Sequence, residues 1–369
     1  MLPSNYSEGN SRPNPTANLK KIDGAGRFRG CRTTQKRREA VSRDRLCTIV
    51  DGTTFSLERS IENEQPASLP WLNVPNEAAT GVKAFRQYVQ LTKPRITLLI
   101  AISTAVGYCY GVTAGFHWFT FLNAVLGAAL MAAGSATLNQ WWERDIDAQM
   151  NRTKARPIPS GTVKANQALV FGVAISLLGF IELLVLCNIL AAGLGLLTSA
   201  GYLLAYTPLK RKHPICTTIG AFPGATPALI GFAAASSHLT VEAWVLFGIL
   251  FLWQFPHFHA IAWIYREDYE RAGVRMLAVV HPYGVALTLE ILVTLLLLIP
   301  MTLAPTALHM TGKVYLVAAL CLDLVLLYFG VQLVRERSRQ RARNLLLASV
   351  VYIPILFAFL VFDTPRFMI

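Results

Sequence analysis

Asn139, Glu143 and Asp147 recur at every fourth position in the stretch Asn139-Gln140-Trp141-Trp142-Glu143-Arg144-Asp145-Ile146-Asp147. Positions i, i+4 and i+8 of a helix share one face, so the spacing predicts a ladder of three oxygen-bearing side chains. Hard cations such as Mg2+ are held by one or two carboxylates together with substrate phosphates. Arg144, Arg152, Lys154 and Arg156 follow closely and supply charge for the remaining phosphate oxygens. Types and spacing therefore point to a metal and diphosphate site. A plainer reading makes Glu143, Asp145 and Asp147 surface ion pairs with Arg144 and Arg152. Against it, the ladder starts at the very end of an apolar run, where polar groups cost insertion energy and mark function.

Two further segments carry side-chain chemistry. Tyr206-Thr207-Pro208-Leu209 leads into Lys210, Arg211, Lys212 and His213, cations that serve either phosphate binding or contact with lipid head groups. Trp253-Gln254-Phe255-Pro256-His257-Phe258-His259 lies in an apolar run, with Tyr265, Glu267, Asp268, Tyr269 and Arg271 just beyond it. His257 and His259 stand two apart and so face different sides of a helix, while Pro256 predicts a break or kink. Imidazoles within a span are costly, which makes these two candidates for ligand contact or proton carriage as well as plain interfacial polarity.

The elements that must position these groups are membrane spans. Leu122 to Leu138 contains no charge; over all 369 residues 53% are hydrophobic and 15% charged, with mean hydropathy +0.43. That composition excludes a soluble protein. From Lys93-Pro94-Arg95 onward, apolar segments of about 17–22 residues recur, each long enough to cross a bilayer as a helix. About nine are expected, near 96–114, 118–138, 168–187, 189–207, 220–236, 242–262, 282–303, 314–334 and 345–362. A helix satisfies its own backbone in lipid, so the expected class is all-α and polytopic. The alternate loops at 139–167, 208–219, 263–281 and 335–344 hold sixteen Lys and Arg, against Lys313 and Arg366 on the other face. Such a bias puts the N-terminus and all three chemical segments on the inner face. Lone acids within spans, Glu182, Glu290 and Asp323, are expected to pair inside the bundle.

Residues 1–80 differ in kind, with Arg and Lys crowded between Arg12 and Arg45 among Ser, Asn, Thr and Pro. This reads as a disordered basic extension with no signal-peptide core. Arg37-Arg38 lacks the apolar segment of a twin-arginine signal; the Arg- and Ser-rich composition leaves a mitochondrial transit peptide as an alternative, although Asp23, Glu39 and Asp44 interrupt it. The six cysteines form no C-x-x-C pair, so neither a disulfide frame nor a zinc site is expected.

The pattern Asn139-x-x-x-Glu143-x-x-x-Asp147 resembles the first aspartate-rich motif of the UbiA superfamily of intramembrane prenyltransferases. Its continuation through Ala148, Met150, Arg152-Thr153-Lys154 and Arg156-Pro157 is similar to the branch that farnesylates protohaem IX. So are Tyr88 to Arg95, Tyr206 to Arg211, Trp253 to Phe258, Asp268-Tyr269, Arg271-Ala272-Gly273 and Met276-Leu277. The likeness spans residues 85–362, which it identifies as one intramembrane prenyltransferase domain. Much of the superfamily has D-x-x-x-D as a second motif, whereas Tyr265 and Tyr269 stand at the matching ends here, with Asp268 between. Asp268 then carries a second metal alone, or Tyr265 orients diphosphate by hydrogen bonding.

What the resemblance implies is a UbiA-like helical bundle that moves the farnesyl group of farnesyl diphosphate to a vinyl group of haem B, water adding to give haem O. It implies Mg2+ on Asn139, Glu143, Asp147 and Asp268. Substrate contacts would come from Arg144, Arg152, Lys154, Arg156, Tyr206, Lys210, His257, His259 and Tyr265. Trp141, Trp142, Tyr206 and Tyr265 are candidates to face a carbocation. Haem is a substrate in this chemistry, membrane lipid is the surroundings, and haem A synthase is the implied downstream partner; nucleic acid has no place. The implied host is a bacterial cytoplasmic membrane, with the mitochondrial inner membrane as the alternative. Two other readings stand beside it: prenylation of an aromatic acid or quinone precursor, and a transporter whose intramembrane His and Glu form an ion path.

Overall fold

Uninterrupted apolar runs become helices here because each helix closes its backbone hydrogen bonds within its own segment. The computed structural model describes residues 77–113 and 115–364. Among them the elements are α1 (Glu77–Leu91), α2 (Pro94–Gly111), α3 (Trp118–Trp142), α4 (Arg144–Asp147), α5 (Ala165–Leu186), α6 (Ile189–Ala200), a π turn (Gly201–Tyr206) and α7 (Thr207–Leu209). There follow α8 (Cys216–Ser236), α9 (Val241–Ile264), α10 (Arg266–Arg271), α11 (Leu277–Val280), α12 (Val285–Ala307), α13 (Lys313–Arg335) and α14 (Arg339–Phe362). Eight helices among the described residues are long and apolar enough to cross a membrane, the α6 to α7 stretch counting as one. With α2, 18 residues long and packed on α3 and α8, the expectation of about nine spans holds. The extension expected over 1–80 lies outside the described residues, save that 77–80 open α1. Cys109, Cys187, Cys216 and Cys321 are free thiols; Cys31 and Cys47 lie outside the described residues.

α8 and α9 form the centre, buried on most sides. The outer faces of α5, α12 and α13 instead expose Val170, Leu177, Leu296, Leu297 and Val317, an apolar surface that lipid, not water, must cover. Small residues let the backbones approach closely. A Cβ added at Gly231 of α8 would stand 1.8 Å from the Thr104 carbonyl oxygen of α2, and one at Gly107 of α2 would stand 2.0 Å from Ala228 O of α8. This contact holds α2, and Lys93 at its start, against the bundle. Of the lone acids, Asp323 accepts from Thr302 and Tyr352 in the α12–α14 interior, and Glu290 faces His259.

Candidate functional site

α3 ends at Trp142, but the ladder does not end with it. Glu143 N–H donates to Asn139 O at 2.9 Å and Asp147 N–H to Glu143 O at 2.8 Å, so the short α4 carries the rise of α3 onward. Asn139, Glu143 and Asp147, all buried, consequently stay on one face and border a cavity of about 390 Å³.

Each rung has a basic side chain beside it. Lys93 Nζ donates to Asn139 Oδ1 at 3.1 Å, and the Asn139 amide nitrogen donates to Thr207 Oγ1 at 3.1 Å. Lys210 Nζ lies 2.9 and 3.1 Å from the two Glu143 carboxylate oxygens. Arg156 Nη1 lies 2.6 Å from Asp147 Oδ2, while Asp147 Oδ1 is buried with no hydrogen-bond partner among the described residues. Burial alone would raise the Glu143 carboxyl, yet Lys210 outweighs it and holds the group below its usual range. Burial likewise opposes the charge on Lys210, and Glu143 overrides it to push the ammonium well above its ordinary value. Lys93 has no such carboxylate in contact, so burial, reinforced by Arg156 and Lys210, lowers it to about 7. Its backbone is left-handed, φ 50°, an uncommon state for a residue with a Cβ and of the kind that clusters at functional sites.

The three chemical segments meet at this end of the bundle. Asp268 Oδ2 accepts from Arg152 N–H at 3.2 Å, the Arg152 guanidinium donates to Tyr269 Oη at 3.0 Å, and Arg275 N–H donates to Lys210 O at 2.7 Å. The guanidinium also lies over the rings of Tyr265, at 4.7 Å, and Tyr269, at 5.5 Å. Asp268 is held below its usual range: burial, which acts the other way, yields to the backbone N–H groups of Arg152 and Asn151 and to Arg271.

Of the residues singled out in the sequence, Asn139, Glu143, Asp147, Arg152, Arg156, Tyr206, Lys210 and His257 border the cavity. Asp268 and Tyr265 stand behind Arg152 and hold it. Three others are placed elsewhere. Arg144 donates to Trp141 O and stacks over that ring. Lys154, exposed, donates to Asn151. His259 does not border the cavity; its Nε2 lies 3.3 Å from Glu290. α9 runs unbroken through Pro256, so the two imidazoles take opposite sides, as their spacing dictates.

In the sequence Lys93 stands out only as part of the segment Tyr88 to Arg95, with no role of its own, and Tyr202 and Ser349 do not stand out at all. Lys93 and Tyr202 border the cavity, and Ser349 Oγ of α14 lies within hydrogen-bond distance, 2.8 Å, of His257 Nδ1. The basic residue directly before Pro94 was the available signal for Lys93; the others had none short of three-dimensional packing.

Four basic side chains, Lys93, Arg152, Arg156 and Lys210, thus face two carboxylates at the polar end, and deeper walls such as Leu99, Met131, Pro227, Ile230 and Leu250 are apolar. The arrangement suits an amphiphile with an anionic head.

Comparison with known proteins agrees. Residues 100–360 match the UbiA prenyltransferase family. The chain is 50% identical over 289 residues to the protoheme IX farnesyltransferase of Solibacter usitatus, covering 76% of this chain and 99% of that one. A solved digeranylgeranylglyceryl phosphate synthase shares the fold at TM-score 0.65 and 19% identity, over 76% of this chain and 98% of its own. A UbiA homologue from Archaeoglobus fulgidus, bound to DMAPP and Mg2+, does so at TM-score 0.50 and 16% identity, over 74% and 99%.

Proposed function

The chain belongs to the UbiA prenyltransferase family, and we propose that it transfers the farnesyl group of farnesyl diphosphate to a vinyl group of protohaem IX, water adding to give haem O and diphosphate. The observation that carries this reading is the Asp147 carboxylate, buried and, among the described residues, unpartnered at one oxygen, in a cavity whose polar end gathers four basic side chains around two carboxylates. That end suits a diphosphate and the apolar remainder suits an isoprenoid. The name of the Solibacter usitatus relative, matched over 99% of its length, supports the choice of substrates.

Mg2+ fits the donors present, an amide oxygen and two carboxylates. Asn139, Glu143 and Asp147 would hold it, Asp147 through the oxygen that no group among the described residues engages. When bound, it would neutralise diphosphate charge and so improve the leaving group. Lys93, Lys210, Arg152 and Arg156 pair with phosphate oxygens and stabilise the charge that grows as the C1–oxygen bond breaks. Asp268 and Tyr265 orient Arg152 for that contact. The Tyr206 face, already 4.6 Å from Lys210 Nζ, stabilises the allylic cation at C1. The vinyl π electrons attack C1, and water captures the resulting cation and releases a proton. No protein nucleophile is needed.

The polar end faces the cytoplasm of a bacterial inner membrane, a reading supported by the sixteen inner-face cations and by bacterial relatives. The product would pass to haem A synthase.

The test incubates purified protein with protohaem and farnesyl diphosphate, with and without Mg2+, and identifies the extracted pigment. Haem O is expected only with all three present. No haem O with all three present, together with prenylation of an aromatic acid supplied in place of protohaem, would overturn the assignment.

A further inference from the structure

His257 is held from behind by α14. Its Nδ1 lies 2.8 Å from Ser349 Oγ, and its ring stacks on Trp253 with 4.8 Å between centroids and 25° between planes. Trp253 Nε1 donates to Ser349 O at 2.9 Å, so one buried residue of α14 anchors both rings.

The Ser349 hydroxyl has its proton committed, because Oγ donates to Leu346 O at 2.7 Å. A hydroxyl offers one proton and two lone pairs, so toward His257 it can only accept. With that proton directed to Leu346 O, Nδ1 would carry the ring proton and Nε2 a free lone pair. His257 borders the cavity, and its Nε2 has no hydrogen-bond partner among the described residues. The residue stands seven positions before the end of α9 at Ile264, about 10 Å deeper at 1.5 Å per residue. Arg152 lies over the ring of Tyr265, the residue after that end, so His257 is set about that far along α9 from this cation.

We propose that Ser349 is a positioning residue that locks His257 in the Nδ1–H tautomer, so that Nε2 serves as axial ligand to the iron of the haem substrate. The inference rests on protohaem being the acceptor, as argued above. Imidazoles that bind metals usually donate their other N–H to a second group, which fixes tautomer and ring orientation. A neutral ring locked this way cannot donate from Nε2, so it is matched to iron and mismatched to a propionate. His259 cannot replace it, since its Nε2 faces Glu290 outside the cavity. Fixing the iron fixes the macrocycle, and with it the vinyl group that must reach C1.

The experiment titrates full-length protein in lipid nanodiscs with ferric protohaem and, separately, with metal-free protoporphyrin IX. Affinity and the magnetic circular dichroism signature of nitrogen ligation are read for wild type, Ser349→Ala, Ser349→Thr and His257→Gly. Ser349→Ala is expected to weaken protohaem binding about tenfold, the lower end for loss of a group behind a metal ligand, and to alter the ligation signature. Ser349→Thr, which keeps the hydroxyl, restores both, and metal-free porphyrin binds all variants alike. Should the threonine variant fail to accumulate, His257→Gly with added imidazole decides. Recovery of the nitrogen signature upholds iron ligation and its absence overturns it. Wild-type affinity and signature in Ser349→Ala, or an equal loss for the metal-free porphyrin, also overturns the proposal. Haem O formation by the wild type is scored separately. Its presence beside an unchanged Ser349→Ala removes the role of Ser349 alone, whereas its absence with intact nitrogen ligation removes the transfer reading alone.

Discussion

Arg156 Nη1 sits 2.6 Å from Asp147 Oδ2, and this contact engages only half of a carboxylate that is 1% exposed. The other oxygen, Oδ1, is buried without a partner among the described residues. An unmade hydrogen bond of this kind costs about 1–3 kcal/mol, and more for a charged group, a cost that a bound cation removes.

Asp147→Asn preserves the volume and one carbonyl oxygen while deleting the charge. Loss of one electrostatic stabiliser of a developing charge typically lowers kcat about 10²–10³-fold, and that is the fall expected in haem O formation. The Mg2+ concentration for half-maximal rate should rise as well. Asp145→Asn is the control, because that side chain is 83% exposed and off the ladder, and its rate should remain near wild type. A wild-type Mg2+ titration for Asp147→Asn would remove the residue from the metal shell.

Lys210 and Glu143 form a buried pair in which each holds the other charged against the pull of burial. Removing one partner strands the other, at about 3–5 kcal/mol. Lys210→Met should therefore lower the unfolding midpoint in nanodiscs. Adding Glu143→Gln should recover most of that loss, since a neutral pair leaves no stranded charge. Activity should not return, because both substitutions take groups from the diphosphate site. Separate readouts of stability and rate on the same two variants check this.

The ladder was legible in the sequence because a four-residue period survives a helix break so long as the backbone keeps its rise, and α4 keeps it after Glu143. The spans were legible because a charge-free run such as Leu122 to Leu138 has few other uses. What escaped was set by packing between segments distant in sequence. Which of His257 and His259 faces the cavity depends on α14 lying behind one and α12 beside the other. The roles of Asp268 and Tyr265 as supports for Arg152 depend on how the loop after α4 meets α10. The π turn before Thr207, which brings that hydroxyl to Asn139, has no pattern of apolar residues to announce it.

Arg152 is expected to resist conservative replacement. Its guanidinium lies over two tyrosine rings and donates to Tyr269 Oη, contacts that need a planar fork. Arg152→Lys keeps the charge but loses the stacking, about 0.5–1 kcal/mol, and a hydrogen bond of similar worth. These losses should lower the unfolding midpoint slightly, and a lysine no longer held in place by the tyrosines should raise KM for farnesyl diphosphate by about tenfold. Tyr269→Phe, which removes only the hydroxyl, should produce a smaller rise. Steady-state kinetics at saturating protohaem distinguish the two, and an unaltered KM in both would detach Arg152 from the diphosphate.

Gly231 couples the scaffold to the site through α2. A methyl group there would stand 1.8 Å from the Thr104 carbonyl oxygen, a backbone atom that moves only if α2 moves. Overpacking of this kind costs about 1–3 kcal/mol. α2 carries Lys93 at its start and lines the cavity with Leu99, Ile100 and Ser103, so its displacement reaches the substrate. Gly231→Ala should lower the unfolding midpoint and raise KM for farnesyl diphosphate, although the residue touches no substrate itself. Gly193→Ala in α6 is the matched comparison, since a Cβ there meets nothing within 4 Å and an alanine favours the helix by up to about 1 kcal/mol. That variant should be unchanged or slightly more stable, with wild-type kinetics. If the two alanine variants behave alike, the close crossing of α2 and α8 is not what sets the cavity.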